Sequence, residues 1–125
     1  MSNFEYANAP ESKIIAKISQ SYDLFIGGKF VKPKKGKSFN TINPATEEVL
    51  AKIAYADKLD IDLAVSSARS AYTKVWSKLP AKERGKYLYR IARILQERAR
   101  EFAVVETLDN GKPIRESRDT DIPLA

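Results

Sequence analysis

The chain contains no cysteine and no histidine. Without cysteine there is no disulfide, no thiolate metal site and no thiol nucleophile. Without histidine there is no imidazole base, and no catalytic triad that depends on one. Long apolar runs are absent too. The longest are a few residues, such as Phe102-Ala-Val-Val105, too short to span a bilayer. The segment Met1–Gln20 has no apolar stretch followed by a small-residue cleavage site, so no secretory signal is read there and a cytoplasmic location is expected. What remains is soluble and globular in composition: 125 residues, 43% hydrophobic and 30% charged.

The net charge of +6 is localised. Lys29, Lys32, Lys34, Lys35 and Lys37 fall in a stretch with no acid, leaving the rest near neutral. This predicts a neutral domain with one solvated, lysine-rich hairpin loop. The loop has no Arg for base contacts and only Phe30 and Phe39 at its margins for stacking, so no specific nucleic acid and no membrane is expected as a partner.

Residues 1–21 read as an N-terminal arm. After Pro10, Ile14, Ile15 and Ile18 suit either one or two turns of helix or a mobile segment. The folded part is expected over 22–125. Asp23–Val31 has the pattern of a β-hairpin turning at Gly27-Gly28. That glycine pair is a turn, since it lacks G-x-G-x-x-G spacing and no helix follows it. Ser38–Ile42 alternates as a half-buried strand would, Asn43-Pro44 breaks it, Ala45–Glu48 turns, and Val49–Tyr55 forms another strand.

From Asp57 the period becomes helical. Asp57 is a candidate cap with Asp60 near the helix's positive end, and Ile61, Ala64, Val65, Ala68, Tyr72 and Val75 mark one face. A second helix starts at Pro80 with the stripe Leu88, Ile91, Ala92, Leu95, Ala99 and Phe102. It bends near Arg100 and stops at Gly111. Tyr87 and Tyr89 straddle Leu88, so at least one leaves the stripe. A short helix is expected from Pro113, and Asp121-Ile-Pro123 reads as a further helix start with no helix behind it, as a truncation would leave. The fold class is α/β, or α+β for these residues in isolation: a hairpin and short strands followed by two or three packed helices.

Three stretches, Phe25-Ile-Gly-Gly-Lys-Phe-Val31, Thr41-Ile-Asn-Pro-Ala-Thr-Glu-Glu-Val-Leu50 and Glu106-Thr-Leu-Asp-Asn-Gly-Lys-Pro113, together resemble the opening of the aldehyde dehydrogenase superfamily. The resemblance runs from Tyr22 to Ala125, with one departure at Glu47, where the family usually has Gly. It implies the amino-terminal part of a nucleotide-binding domain, whose parent is a homo-oligomer using NAD or NADP. In such a parent a cysteine thiolate attacks the aldehyde, hydride passes to the nicotinamide, and a glutamate-activated water releases the acid. Those residues lie beyond the matched region, so no catalytic or cofactor-binding residue carries over, and this segment alone is not expected to bind the cofactor. Its expected partner is the remainder of the dehydrogenase chain.

Asp109 has two readings. Asp-Asn-Gly is ordinary turn chemistry. The resemblance implies instead a site for Na⁺ or K⁺, built from the Asp109 side chain and the backbone carbonyls of Thr41 and Ile42. Two other functions stay open at this point: a non-catalytic interaction protein from a truncated gene, and a small basic nucleic-acid-binding module.

Overall fold

The computed structural model describes residues 13–125. Pro10 and most of the expected arm lie outside the described residues. Within them the arm contributes one 3₁₀ turn, Lys13–Ile15, and Ser21, the first residue of a strand.

Strands β2 (Leu24–Ile26) and β3 (Lys29–Val31) pair antiparallel as the expected hairpin. Its two central residues, Gly27 and Gly28, have φ of 63° and 82°, the double positive φ of a type I′ turn. A second sheet has the order β1–β5–β4. In it β1 (Ser21–Tyr22) runs parallel to β5 (Val49–Ala54), and β4 (Ser38–Ile42) runs antiparallel to β5. Because β3 and β4 sit in different sheets, the lysine-rich segment is a crossover between sheets. That corrects the expectation of a hairpin loop.

The segment is also fixed in place. Helix α1 (Lys58–Lys74) opens with a capping box. Asp57 accepts from the N–H groups of Leu59 and Asp60 at 2.9 and 3.2 Å, and Asp60 accepts from the Asp57 N–H at 3.1 Å. The Asp60 carboxyl is buried at 2% exposure and takes the Lys34 N–H on both oxygens, at 3.1 and 3.3 Å. The Lys35 ammonium lies 3.2 Å from Asp57. Desolvation pulls the Asp57 carboxyl upward. The Asp60 and Leu59 N–H groups and Lys35 together outweigh it, so its pKa lies below the usual value.

The long second helix is two. Helix α2 (Ala81–Glu97) ends where Arg98 leaves the helical region at φ −106°, ψ 18°, and α3 (Ala99–Asn110) continues to Gly111. The break falls two residues before the expected bend. The Arg98 guanidinium turns to Glu101, at 2.6 Å, and lies over the Phe102 ring. Beyond Pro113 the chain runs through Ile114–Glu116, a π-turn at Ser117–Asp121 and Ile122–Leu124 without a fresh cap. Asp121 is helical itself, and its side chain pairs with Lys112. A short helical turn does begin after it, with Pro123 in its first turn as the sequence suggested, but the Asp121 side chain tethers Lys112 instead of capping that turn.

Among the described residues the apolar core is small: Ala51 on β5, and Ala103 and Val104 on α3. The expected stripes form but are not covered. On α1, Ile61, Val65 and Tyr72 are exposed, as is Val75 just past its end, and α2 has no buried residue, with Leu88 and Ile91 each 63% exposed. Strand β4, expected to be half-buried, leaves Phe39 and Ile42 exposed as well. Tyr87 leans on Trp76, with ring centroids 5.9 Å apart, while Tyr89 points to solvent.

Replacing Asp57 by Ala should lower unfolding stability, because the first N–H groups of α1 lose their acceptor. The folded-state pKa of Asp57 is depressed, so its contribution is present above the unfolded value of about 3.9 and is lost as pH falls through the folded one. Denaturant midpoints measured across the acid range should therefore show wild type and Asp57→Ala converging at low pH. A constant difference down to full protonation would contradict the assignment.

Candidate functional site

The two segments that carry the candidate cation ligands meet at one corner. After β4, the buried Asn43 closes a turn: its N–H donates to the Glu48 carbonyl at 2.9 Å, and its side-chain oxygen accepts from the Ala45 N–H at 3.0 Å. Pro44 then projects against the end of α3. A Cβ built on Gly111 would lie 2.7 Å from the Pro44 Cγ, and Gly111 itself sits at φ 78°. Only a glycine meets both conditions without displacement. Glu47, the departure from the family pattern, takes φ 60° and so carries the cost of a left-handed non-glycine residue.

This contact brings the end of α3 onto β4, where the Thr41 hydroxyl donates to the Asp109 carboxylate. Ile42 follows at a break in the ladder. Thr41 pairs with Ala51 and Ile42 with Val49, so Leu50 has no partner and the register shifts between Thr41 and Ile42. A bulge of this kind disrupts the local ladder, at the two residues whose carbonyls the cation reading uses. Thr41 and Asp109 are thus together, and Ile42 is adjacent to them in the chain. The contact shown is made by the Thr41 hydroxyl, whereas the sequence reading named its carbonyl.

The corner opens on a groove of about 460 Å³ between β5 and α3, lined by Tyr22, Thr41, Arg98, Glu101, Asp109 and Lys17 among others. Its charges are largely matched. Glu101 takes both Arg98 hydrogen bonds, at 2.6 and 2.8 Å; the hydrogen bond holds its carboxyl below, and the guanidinium above, their ordinary values. Beyond Gly111 the chain is tied down again. Lys112 pairs with Asp121, which raises its pKa, and the Thr107 hydroxyl meets the fully buried Ser117 at 3.3 Å.

Sequence reasoning missed several of these contacts. The Asp57–Asp60 spacing signals a capping box, but nothing local shows that Asp60 reaches Lys34, 26 positions away. Nor does the sequence show that Pro44 packs on Gly111. The other motifs keep plain roles. Gly27-Gly28 is the hairpin turn. Among the described residues no three His, Cys, Asp or Glu side chains gather as a metal cluster, and no helix is long and apolar enough to cross a membrane.

Comparison with known proteins identifies the family. The model of the aldehyde dehydrogenase family matches residues 30–125. An aldehyde dehydrogenase of Alternaria alternata is 42% identical over 106 residues, covering 85% of this chain and 21% of that protein. Aldehyde dehydrogenase B of Escherichia coli is 38% identical over 109 residues, covering 87% and 21%. Among solved structures, the NAD⁺ complex of an aldehyde dehydrogenase from Bacillus cereus superposes with a TM-score of 0.82 at 41% identity, over 94% of this chain and 24% of that one. The chain therefore spans about a fifth of the length of the curated relatives it matches.

Gly111→Ala should lower the midpoint of unfolding by the equivalent of about 2 kcal/mol. Left-handed strain and displacement of Pro44 both contribute. Denaturant titration checks this, and a cost below about 0.5 kcal/mol, the usual range for a neutral surface change, would show that the Pro44 contact does not constrain the corner.

Proposed function

The chain belongs to the aldehyde dehydrogenase family, and from that premise we propose that it forms the amino-terminal part of the nucleotide-binding domain of an NAD(P)-dependent aldehyde dehydrogenase. The observation that carries this reading is the bare apolar stripe of α2 in a chain that covers about a fifth of its relatives' length. A helix of 17 residues is marginal by itself in water, and Gly85 in its interior weakens it further. Burying one Leu or Ile side chain contributes roughly 1.5–3 kcal/mol. The stripe through Leu88, Ile91 and Leu95 would find that contribution against the remainder of a dehydrogenase chain, in a homo-oligomeric enzyme working in the cytoplasm.

In that enzyme the NAD(P)⁺ would accept hydride from the substrate. The residues of this chain contribute support. The capped α1 fixes the lysine-rich crossover, and the Pro44–Gly111 contact fixes the end of α3 against the sheet. No thiol is present to attack an aldehyde, so the reacting groups belong to other parts of the enzyme. The same premise supports a monovalent cation site at the corner. The Asp109 carboxylate sits at a helix C-terminus, where carbonyls concentrate negative charge. It lies beside a strand whose ladder is interrupted. A hard Na⁺ or K⁺ would suit those oxygens, with Thr41 and Ile42 supplying carbonyls and the Thr41 hydroxyl giving up its present contact.

Calorimetric titration of the chain alone with NAD⁺ and NADP⁺ should give no saturable heat in the micromolar range, and the chain should oxidise no aldehyde. A micromolar isotherm with either nucleotide would overturn the assignment of cofactor binding to residues outside this chain. In the whole enzyme, K⁺ or Na⁺ should raise the melting temperature more than choline does at equal concentration, and Asp109→Asn should remove that difference. Equal responses in wild type and variant would leave Asp109 as a turn residue.

A further inference from the structure

We propose that the cleft between the lysine-rich crossover and the β1–β5 side of the sheet binds the phosphate group of a small soluble molecule. The cleft is about 190 Å³, and Lys32, Lys37 and Lys52 line it with Ser21, Ser38 and Asp23. Lys52 reaches it from β5, opposite Ser21 in the parallel register, while the other two lysines come from the crossover. The inference rests on this geometry and is independent of the family reading.

Three features set the cleft apart from an ordinary basic loop. First, none of the three lysine side chains has an ion pair or hydrogen-bond partner among the described residues. The nearby Asp57 is committed to Lys35 and to the helix cap, and Asp60 to the Lys34 and Asp57 backbone. Second, the crossover cannot spread to relieve the repulsion. Its backbone is held at Lys34 by Asp60, at Gly36 by the Pro33 carbonyl at 2.9 Å, and at Lys37, whose carbonyl accepts from the Tyr55 N–H at 2.9 Å. Third, the balance of charge along its lining is positive, because three lysines line it and Asp23 is the one acidic residue among the lining residues.

A dianion would offset that surplus, with the Ser21 and Ser38 hydroxyls available as donors. The cleft, at about 190 Å³, is large enough for one phosphate group. A phosphate monoester gains its second charge near pH 6. Affinity should therefore rise as pH increases from about 5 to 7.5.

The test is a ¹⁵N-resolved NMR titration of the whole chain with inorganic phosphate, at ionic strength held constant with chloride. Saturable shifts are expected at the amides of Ser21, Gly36 and Ser38. Lys32→Gln and Lys52→Gln should each weaken binding about two- to fivefold, the range expected of an exposed charge pair. Lys29→Gln, outside the cleft, should leave it unchanged. All three are surface substitutions, and the dispersion of the same spectra reports whether each variant is folded. The proposal is overturned if chloride alone reproduces the shifts, if all three variants bind alike, or if vesicles containing phosphatidic acid bind while free phosphate does not.

Discussion

An amphipathic helix in water holds its shape mainly by what covers its apolar stripe. In this chain that cover is incomplete, and most of the structure follows from it. Helix α2 contributes no buried residue, α1 leaves its expected face open, and the buried apolar residues described are two alanines and a valine. Exposed apolar faces of this kind mark surfaces that other polypeptide is meant to meet. The curated relatives it matches are about four times as long as this chain, and on the proposed reading the rest of such a chain provides the cover.

With little apolar burial, local geometry leans on directional contacts. The Asp57–Asp60 capping box orients α1 and, through the buried Asp60, anchors the backbone of the crossover. Asn43 closes the turn that carries Pro44 onto Gly111, and that packing brings Asp109 to Thr41. Ser117 and the Lys112–Asp121 pair hold the last turns beside α3. Buried polar groups are costly when left unpartnered, so the contacts of the buried Asn43, Asp60 and Ser117 are specific as well as stabilising. They place the segments without requiring a large core.

Local signals in the sequence were faithful to local structure. The Gly27-Gly28 turn, the strand from Ser38 to Ile42, the Asp57 cap and the Gly111 stop are all where residue chemistry placed them, because each is decided within a few neighbours. Contacts spanning the chain were not legible that way. Asp60 with Lys34 and Pro44 with Gly111 depend on tertiary approach, for which a single sequence offers no pattern. The pairing of Asp121 with Lys112 was hidden in the same way. The stripes on α1 and α2 were read correctly as apolar faces, but periodicity tells that a face wants cover and not what provides it.

Hydrogen–deuterium exchange on the isolated chain tests the central claim, that α2 depends on cover from other polypeptide, most directly. If it does, the amides of Ala81–Glu97 should open locally and exchange much faster than those of Val49–Ala54 and the buried part of α3 around Ala103 and Val104. Protection of α2 equal to that of β5 and α3, in a chain shown to be monomeric, would mean that the helix needs no partner and would contradict the account.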